Sequence, residues 1–143
     1  MEDPKAQCIF CQIIEGAISS RKVYEDDLCV GVLDINPANP GHVLLLPREH
    51  FAIMPQVPEE VIARMSVVAK QISLVMLKVL GVEGTNIFIA NGMAAGQRAP
   101  HFIVHVIPRM KDDGVPLKLS EGKLDGLDEM KQKLAESIAK VMQ

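Results

Sequence analysis

Cys8 and Cys11, three apart, place two thiols on one turn of chain, and His101 and His105, four apart in an apolar stretch, place two imidazoles close together. Thiolate sulfur and imidazole nitrogen are the donors that hold zinc in protein sites. A Cys-x2-Cys pair also serves as a redox couple, but that use needs a strand leading into the motif and a helix following it. Only a short polar stretch precedes Cys8, so metal is favoured over redox, with the pair supplying two ligands of four. The third cysteine, Cys29, sits in an apolar run and is expected to pack there as a small hydrophobe. Three cysteines cannot all pair within the chain, and no disulfide framework is expected.

The elements that must hold these groups follow from periodicity. Pro100 to Arg109 reads as a strand, because Phe102, Ile103, Val104, Val106 and Ile107 are β-branched, aromatic or aliphatic and a proline stands at each end. Alternation then puts His101, Ile103 and His105 on one face, with the two imidazoles about 7 Å apart at Cα. Gln12 to Gly16 predicts a helical turn or two that the glycine ends. Lys22–Tyr24 and Leu28–Leu33 read as a hairpin across the acidic turn 25–27, and His42–Pro47 as a further, buried strand that delivers His50 just beyond its end. From Pro58 to Gly81 the spacing of Val61, Met65, Val68, Ile72, Val75 and Val79 predicts a long amphipathic helix. A strand over 85–91, a possible edge segment over 116–120 and a last helix striped by Leu127, Met130, Leu134, Ile138 and Val141 complete the chain. That last helix is expected to dock on the domain or on a second subunit. Five strands, a long helix between the third and fourth, and no βαβ rhythm make this an α+β fold with an antiparallel sheet. One domain over 1–143 is expected, with a core at about 8–109 and a C-terminal extension and helix over 110–143.

Composition narrows the function classes. With 48% hydrophobic residues in 143 the chain can bury one real core. A net charge of −3 and a single Tyr beside four Phe give neither a cationic surface nor a base-stacking platform, so nucleic acid is not an expected partner. No apolar run approaches the roughly 20 residues that span a bilayer, and the charged start, Met-Glu-Asp-Pro-Lys, is not a leader or an anchor. A cytoplasmic protein is expected.

The run Pro-His-Phe-Ile-Val-His-Val-Ile-Pro-Arg over 100–109, with Asn91-Gly92 and Gly96-Gln97 before it, resembles the signature of the histidine triad (HIT) family of nucleotide-binding proteins and nucleotidyl hydrolases. The resemblance runs from about Cys8 to Arg109. It implies a five-stranded antiparallel sheet with two helices, and a homodimer whose subunits join their sheets edge to edge. HIT proteins with an N-terminal Cys-x2-Cys are similar to this chain, and the resemblance implies a structural zinc on Cys8, Cys11, His50 and His101. It also implies a nucleoside monophosphate ligand of the AMP or GMP type. Its base slot would be lined by Ile9, Phe10, Ile13, Leu33 and Ile35, its ribose held by Asp34, and its phosphate by Asn91, Gly96, Gln97, Arg98 and His105. A carboxylate suits paired hydroxyls; Asp34 fits equally as the start of a turn before Asn36-Pro37.

One departure decides what activity to expect. The family alternates three histidines with apolar residues, and the middle one is its nucleophile; here that position is Ile103. An aliphatic side chain has no lone pair with which to attack phosphorus. His105 stands two residues on, about 7 Å away, and His101 would be occupied by metal. The reading is therefore a nucleotide-binding protein with little or no hydrolase or transferase activity. The alternative is an active phosphoramidate or dinucleoside polyphosphate hydrolase rerouted through His105 and Arg98. A third reading is an interaction module working through its dimer surface.

Overall fold

A computed structural model of the chain describes residues 3–143; Met1 and Glu2, at the head of the charged N-terminal stretch, lie outside the described residues. Five strands, β1 (Lys22–Glu25), β2 (Cys29–Leu33), β3 (Val43–Pro47), β4 (Gly84–Phe88) and β5 (Val104–Arg109), form one antiparallel sheet in the order β1-β2-β3-β5-β4. Helix α2 (Glu59–Val75) continues as a π turn over Met76–Leu80 and links β3 to β4. Helices α1 (Ile9–Glu15) and α3 (Leu127–Val141) flank the sheet in sequence. The expected α+β architecture is thus the one adopted.

Alternation along the strands sorts the core onto two faces of the sheet. Cys29, Val43, Leu45, Val104 and Val106 meet Met65, Val68, Ala69 and Met76 of α2 and its π turn on one face. Val30, Val32, Leu44 and Leu46 face the other way, where Phe10, Ile13 and Ile14 of α1 pack against them together with Ile103.

Several sequence expectations shift. Val75 and Val79 are exposed, and Met76 takes the buried position instead. A stripe spaced by threes and fours can be continued along either of two adjacent rows, and here 65, 68, 69, 72 and 76 is the row that faces the sheet. The strand expected from Pro100 begins only at Val104, and the one expected over 85–91 ends at Phe88. No strand forms over 116–120. Every residue of α3 is exposed, its apolar stripe included, so within this chain the helix does not bury the face its sequence builds.

Candidate functional site

The first cluster of reactive side chains is assembled from three separate pieces of chain. Cys8 stands at the N-cap of α1, where its Sγ accepts the Cys11 amide N–H at 3.4 Å, and Gly16 closes the helix in the left-handed conformation at φ 84°. The helix turn therefore sets both thiols on one side. Pro47 ends β3, and the chain carries on to His50 and Phe51; the Phe51 carbonyl then accepts the Phe102 amide at 2.6 Å, which brings the segment holding His101 alongside. His101 is fully buried although it lies ahead of β5. Its Nδ1 is 3.3 Å from Cys8 Sγ and 3.5 Å from Cys11 Sγ, and His50 Nδ1 is 3.2 Å from Cys11 Sγ.

These separations leave room for a metal ion between the four groups. Bonds of about 2.0–2.3 Å around zinc put neighbouring ligand atoms roughly 3.3–3.8 Å apart. All four donor atoms here lie within 4.8 Å of one another. The orientation of His101 fits as well, because its Nε2 lies 3.4 Å from the Pro47 carbonyl oxygen. Donating the Nε2 proton there leaves the Nδ1 lone pair aimed at the sulfurs, as outer-shell partners do for metal-bound imidazoles. Burial pushes the Cys11 thiol up to about 12 and the His101 imidazolium down to about 4. At neutral pH His101 is thus a neutral donor, and Cys11 gives up its proton only to a cation that replaces it. Cys8, Cys11, His50 and His101 can together hold a metal ion.

A second cluster joins Asp34, His42 and His105. His105, in the middle of the sheet, pairs with Leu44 of β3 and Phe88 of β4, and points away from α2. His42 precedes β3 and is buried; its Nδ1 accepts the Ala38 amide N–H at 3.0 Å, and its Nε2 lies 2.9 Å from His105 Nδ1. Those two contacts fix both protons. A ring nitrogen that accepts an amide N–H is bare, so the His42 proton is on Nε2 and is donated to His105 Nδ1. His105 in turn carries its proton on Nε2. Burial lowers the pKa of both rings, that of His105 to about 4, despite the pull of Asp34 in the other direction. The result is a one-way chain from the Ala38 amide through two neutral imidazoles that ends in an N–H donor. A metal on His42 Nε2 would require a proton on Nδ1, facing the Ala38 N–H donor to donor. The second cluster is therefore a hydrogen-bond relay rather than a metal site.

The remaining expected residues divide. Asp34 Oδ1 accepts the Asn36 amide at 2.9 Å, making the turn the sequence allowed, while its Oδ2 faces His42 Nδ1 at 3.6 Å. Phe10, Ile13 and Ile103 converge on the apolar face beside α1. Ile9 is exposed, Leu33 packs on the α2 side of the sheet, and Ile35 is exposed at the loop. Asn91 Oδ1 accepts the Met54 amide, and Gln97 bridges the Gly92 amide and the Ala52 carbonyl, so both hold loops together with their side chains. Gly96 is left-handed at φ 93°, and Arg98 is exposed. Sequence reasoning missed His42, which it treated only as the start of a strand. The signal was its being the one histidine of four left without a role, directly after Asn39-Pro40-Gly41.

Comparison with known proteins fixes the lineage. The HIT domain model matches residues 15–112. The chain belongs to the HIT family. An uncharacterized HIT-like protein of Methanocaldococcus jannaschii is 41% identical over 86% of this chain and 95% of its own length. An adenosine 5'-monophosphoramidase of Candida albicans is 34% identical over 95% of this chain and 94% of its own length. Among solved structures, a Zn-bound histidine triad family protein from Mycobacterium smegmatis superposes with a TM-score of 0.74 at 30% identity, covering 94% of this chain and 98% of that one. Within this HIT chain no helix of the described residues is long and apolar enough to cross a membrane.

Proposed function

We propose that this HIT protein binds a purine nucleoside monophosphate and does little or no nucleotidyl hydrolysis or transfer. Ile103 carries the proposal, since it fills the position at which the family pattern has its nucleophile and packs into the apolar cluster around Phe10 and Leu44. The relay ending on His105 supports the same reading. A ring that presents Nε2–H can donate to a phosphate oxygen, but it has no lone pair there with which to attack phosphorus or take a proton. Asp34 serves the ribose hydroxyls through Oδ2, and Gly96, Gln97 and Arg98 flank the phosphate.

Cys8, Cys11, His50 and His101 hold a structural zinc, which ties α1 to the segments before and after the sheet's central strands. The Zn-bound relative from Mycobacterium smegmatis supports this choice of metal. The protein works as a homodimer. Val67, Leu74 and Leu77 on α2 and its π turn, and Ile87 on β4, an edge strand, are all exposed and apolar, and joining two β4 edges would cover them. Free thiols at Cys8 and Cys11, which zinc requires, fit a reducing cytoplasm.

The test is calorimetric titration with AMP beside turnover of an adenosine phosphoramidate. The wild type is expected to bind AMP, to lose that binding on Asp34→Ala, and to release no AMP above background. Ile103→His is expected to gain turnover, through attack on phosphorus, departure of the amine and hydrolysis of the resulting nucleotidyl-histidine. Wild-type turnover on the order of 1 s⁻¹ or faster, an ordinary enzyme rate, would overturn the proposal.

A further inference from the structure

One charged residue outside the two clusters reaches the relay through the backbone. Asp113 is a half-buried residue whose side chain is 8% exposed and accepts five hydrogen bonds: from Arg109 Nε at 2.8 Å and Nη2 at 2.9 Å, from Asn39 Nδ2 at 2.8 Å, and from the amides of Met110 and Val115 at 3.0 and 3.1 Å. Asn39 Nδ2 also donates to the Pro108 carbonyl at 2.9 Å. The Asn39 side chain is thus clamped to the end of β5, the strand that carries His105. Its own carbonyl accepts the His42 amide at 3.1 Å, and the preceding residue is Ala38, whose amide sets the His42 tautomer. Gly41, at φ 97°, keeps this loop tight against the π turn after α2, where a Cβ would meet Leu80 Cδ1 at 3.2 Å.

We propose that Asp113 is a positioning residue for the ligand-facing histidines: through Asn39 it holds the 34–42 loop so that the Ala38 amide stays on His42 Nδ1 and His105 keeps presenting Nε2–H. This rests on the reading of His105 as a phosphate donor. Asp113 lies one residue beyond the stretch that the family model matches. The geometry is directional, because only a bare His42 Nδ1 makes His105 a donor at its far end. With the loop released, the Ala38 amide no longer enforces that state, and each ring can carry its proton on either nitrogen.

The experiment is long-range ¹⁵N–¹H NMR of histidine-labelled protein, zinc-loaded, for wild type, Asn39→Ala and Asp113→Asn. In wild type, His42 and His105 are each expected as a single species protonated at Nε2. Both variants are expected to show mixed tautomers at these two rings while His50 and His101 stay unchanged. AMP titration of the same samples should weaken about tenfold if the competent tautomer falls to a tenth of the population. The double variant should be no weaker than the worse single one, since both act along one path. Asn39→Ala keeps the Arg109 to Asp113 pair, so it carries the test if Asp113→Asn fails to fold. Single Nε2–H tautomers in the variants, with or without a lower melting temperature, would overturn the proposal. Failure of wild type to bind AMP would instead remove the nucleotide reading and leave the tautomer result standing.

Discussion

Replacing Cys11 by serine separates a metal cross-link from ordinary packing. Cys11 and His50 are 39 residues apart in the chain, with their donor atoms 3.2 Å apart in the fold. Joining two such points through a metal removes loop-closure entropy from the unfolded chain much as a disulfide does. For a closure of this length that is worth about 4 kcal/mol. For a domain of this size a kcal/mol moves the melting temperature by roughly 2–4 °C, so such a link would account for about 8–16 °C. Serine is nearly the same size as cysteine, and its hydroxyl is a far poorer zinc ligand. The assay is thermal melting of wild type and Cys11→Ser, each zinc-loaded and each stripped with a strong chelator, with metal content measured in parallel. Wild type is expected to bind one zinc per chain and to lose about 8–16 °C on stripping. Cys11→Ser is expected to bind weakly or not at all and to melt near the stripped wild type under both conditions. Equal losses on stripping in both proteins, or a wild type that holds no zinc and ignores the chelator, would refute the reasoning.

Further outcomes follow from the remaining contacts. Arg64 donates to Asp26 Oδ2 at 2.7 Å and to the Tyr24 hydroxyl at 2.6 Å, pinning α2 to the β1–β2 hairpin; because the pair is solvent-exposed, Arg64→Ala should lower the urea midpoint only slightly. Burial alone would raise the Asp26 carboxyl, but hydrogen bonds from Tyr24, Arg64 and the Leu28 and Cys29 amides outweigh it and hold it well below the usual range. Its folded pKa therefore lies below the unfolded value near 3.9, so its contribution is full above about pH 4 and is lost as pH falls further. Acid unfolding followed by circular dichroism should shift to higher pH in Asp26→Asn. Leu74→Glu, on the exposed face of α2, should convert a dimer to a monomer in light scattering.

The class of the fold and the membership of the Cys8, Cys11, His50 and His101 cluster were legible in the chain because each rests on local pattern. Alternation, a long amphipathic run and Gly16 specify the strands and helices, and Cys8-x2-Cys11 with two particular histidines specifies a donor set through family resemblance. What the sequence could not decide was which atoms face which. The row of α2 that meets the sheet turned on Met76 rather than Val75, a difference of one residue that spacing by threes and fours leaves open. Leu33 fell on the face opposite Phe10 because strand parity, not hydrophobicity, sets the side. The role of His42 came only with the fold: its partners are a loop amide four residues back and an imidazole on a neighbouring strand. Tautomers are set by what lies within hydrogen-bond reach, and that reach is created by chain segments far apart in sequence. The sequence therefore determined which groups this protein owns, and tertiary structure decided which of them give a proton and which give a lone pair.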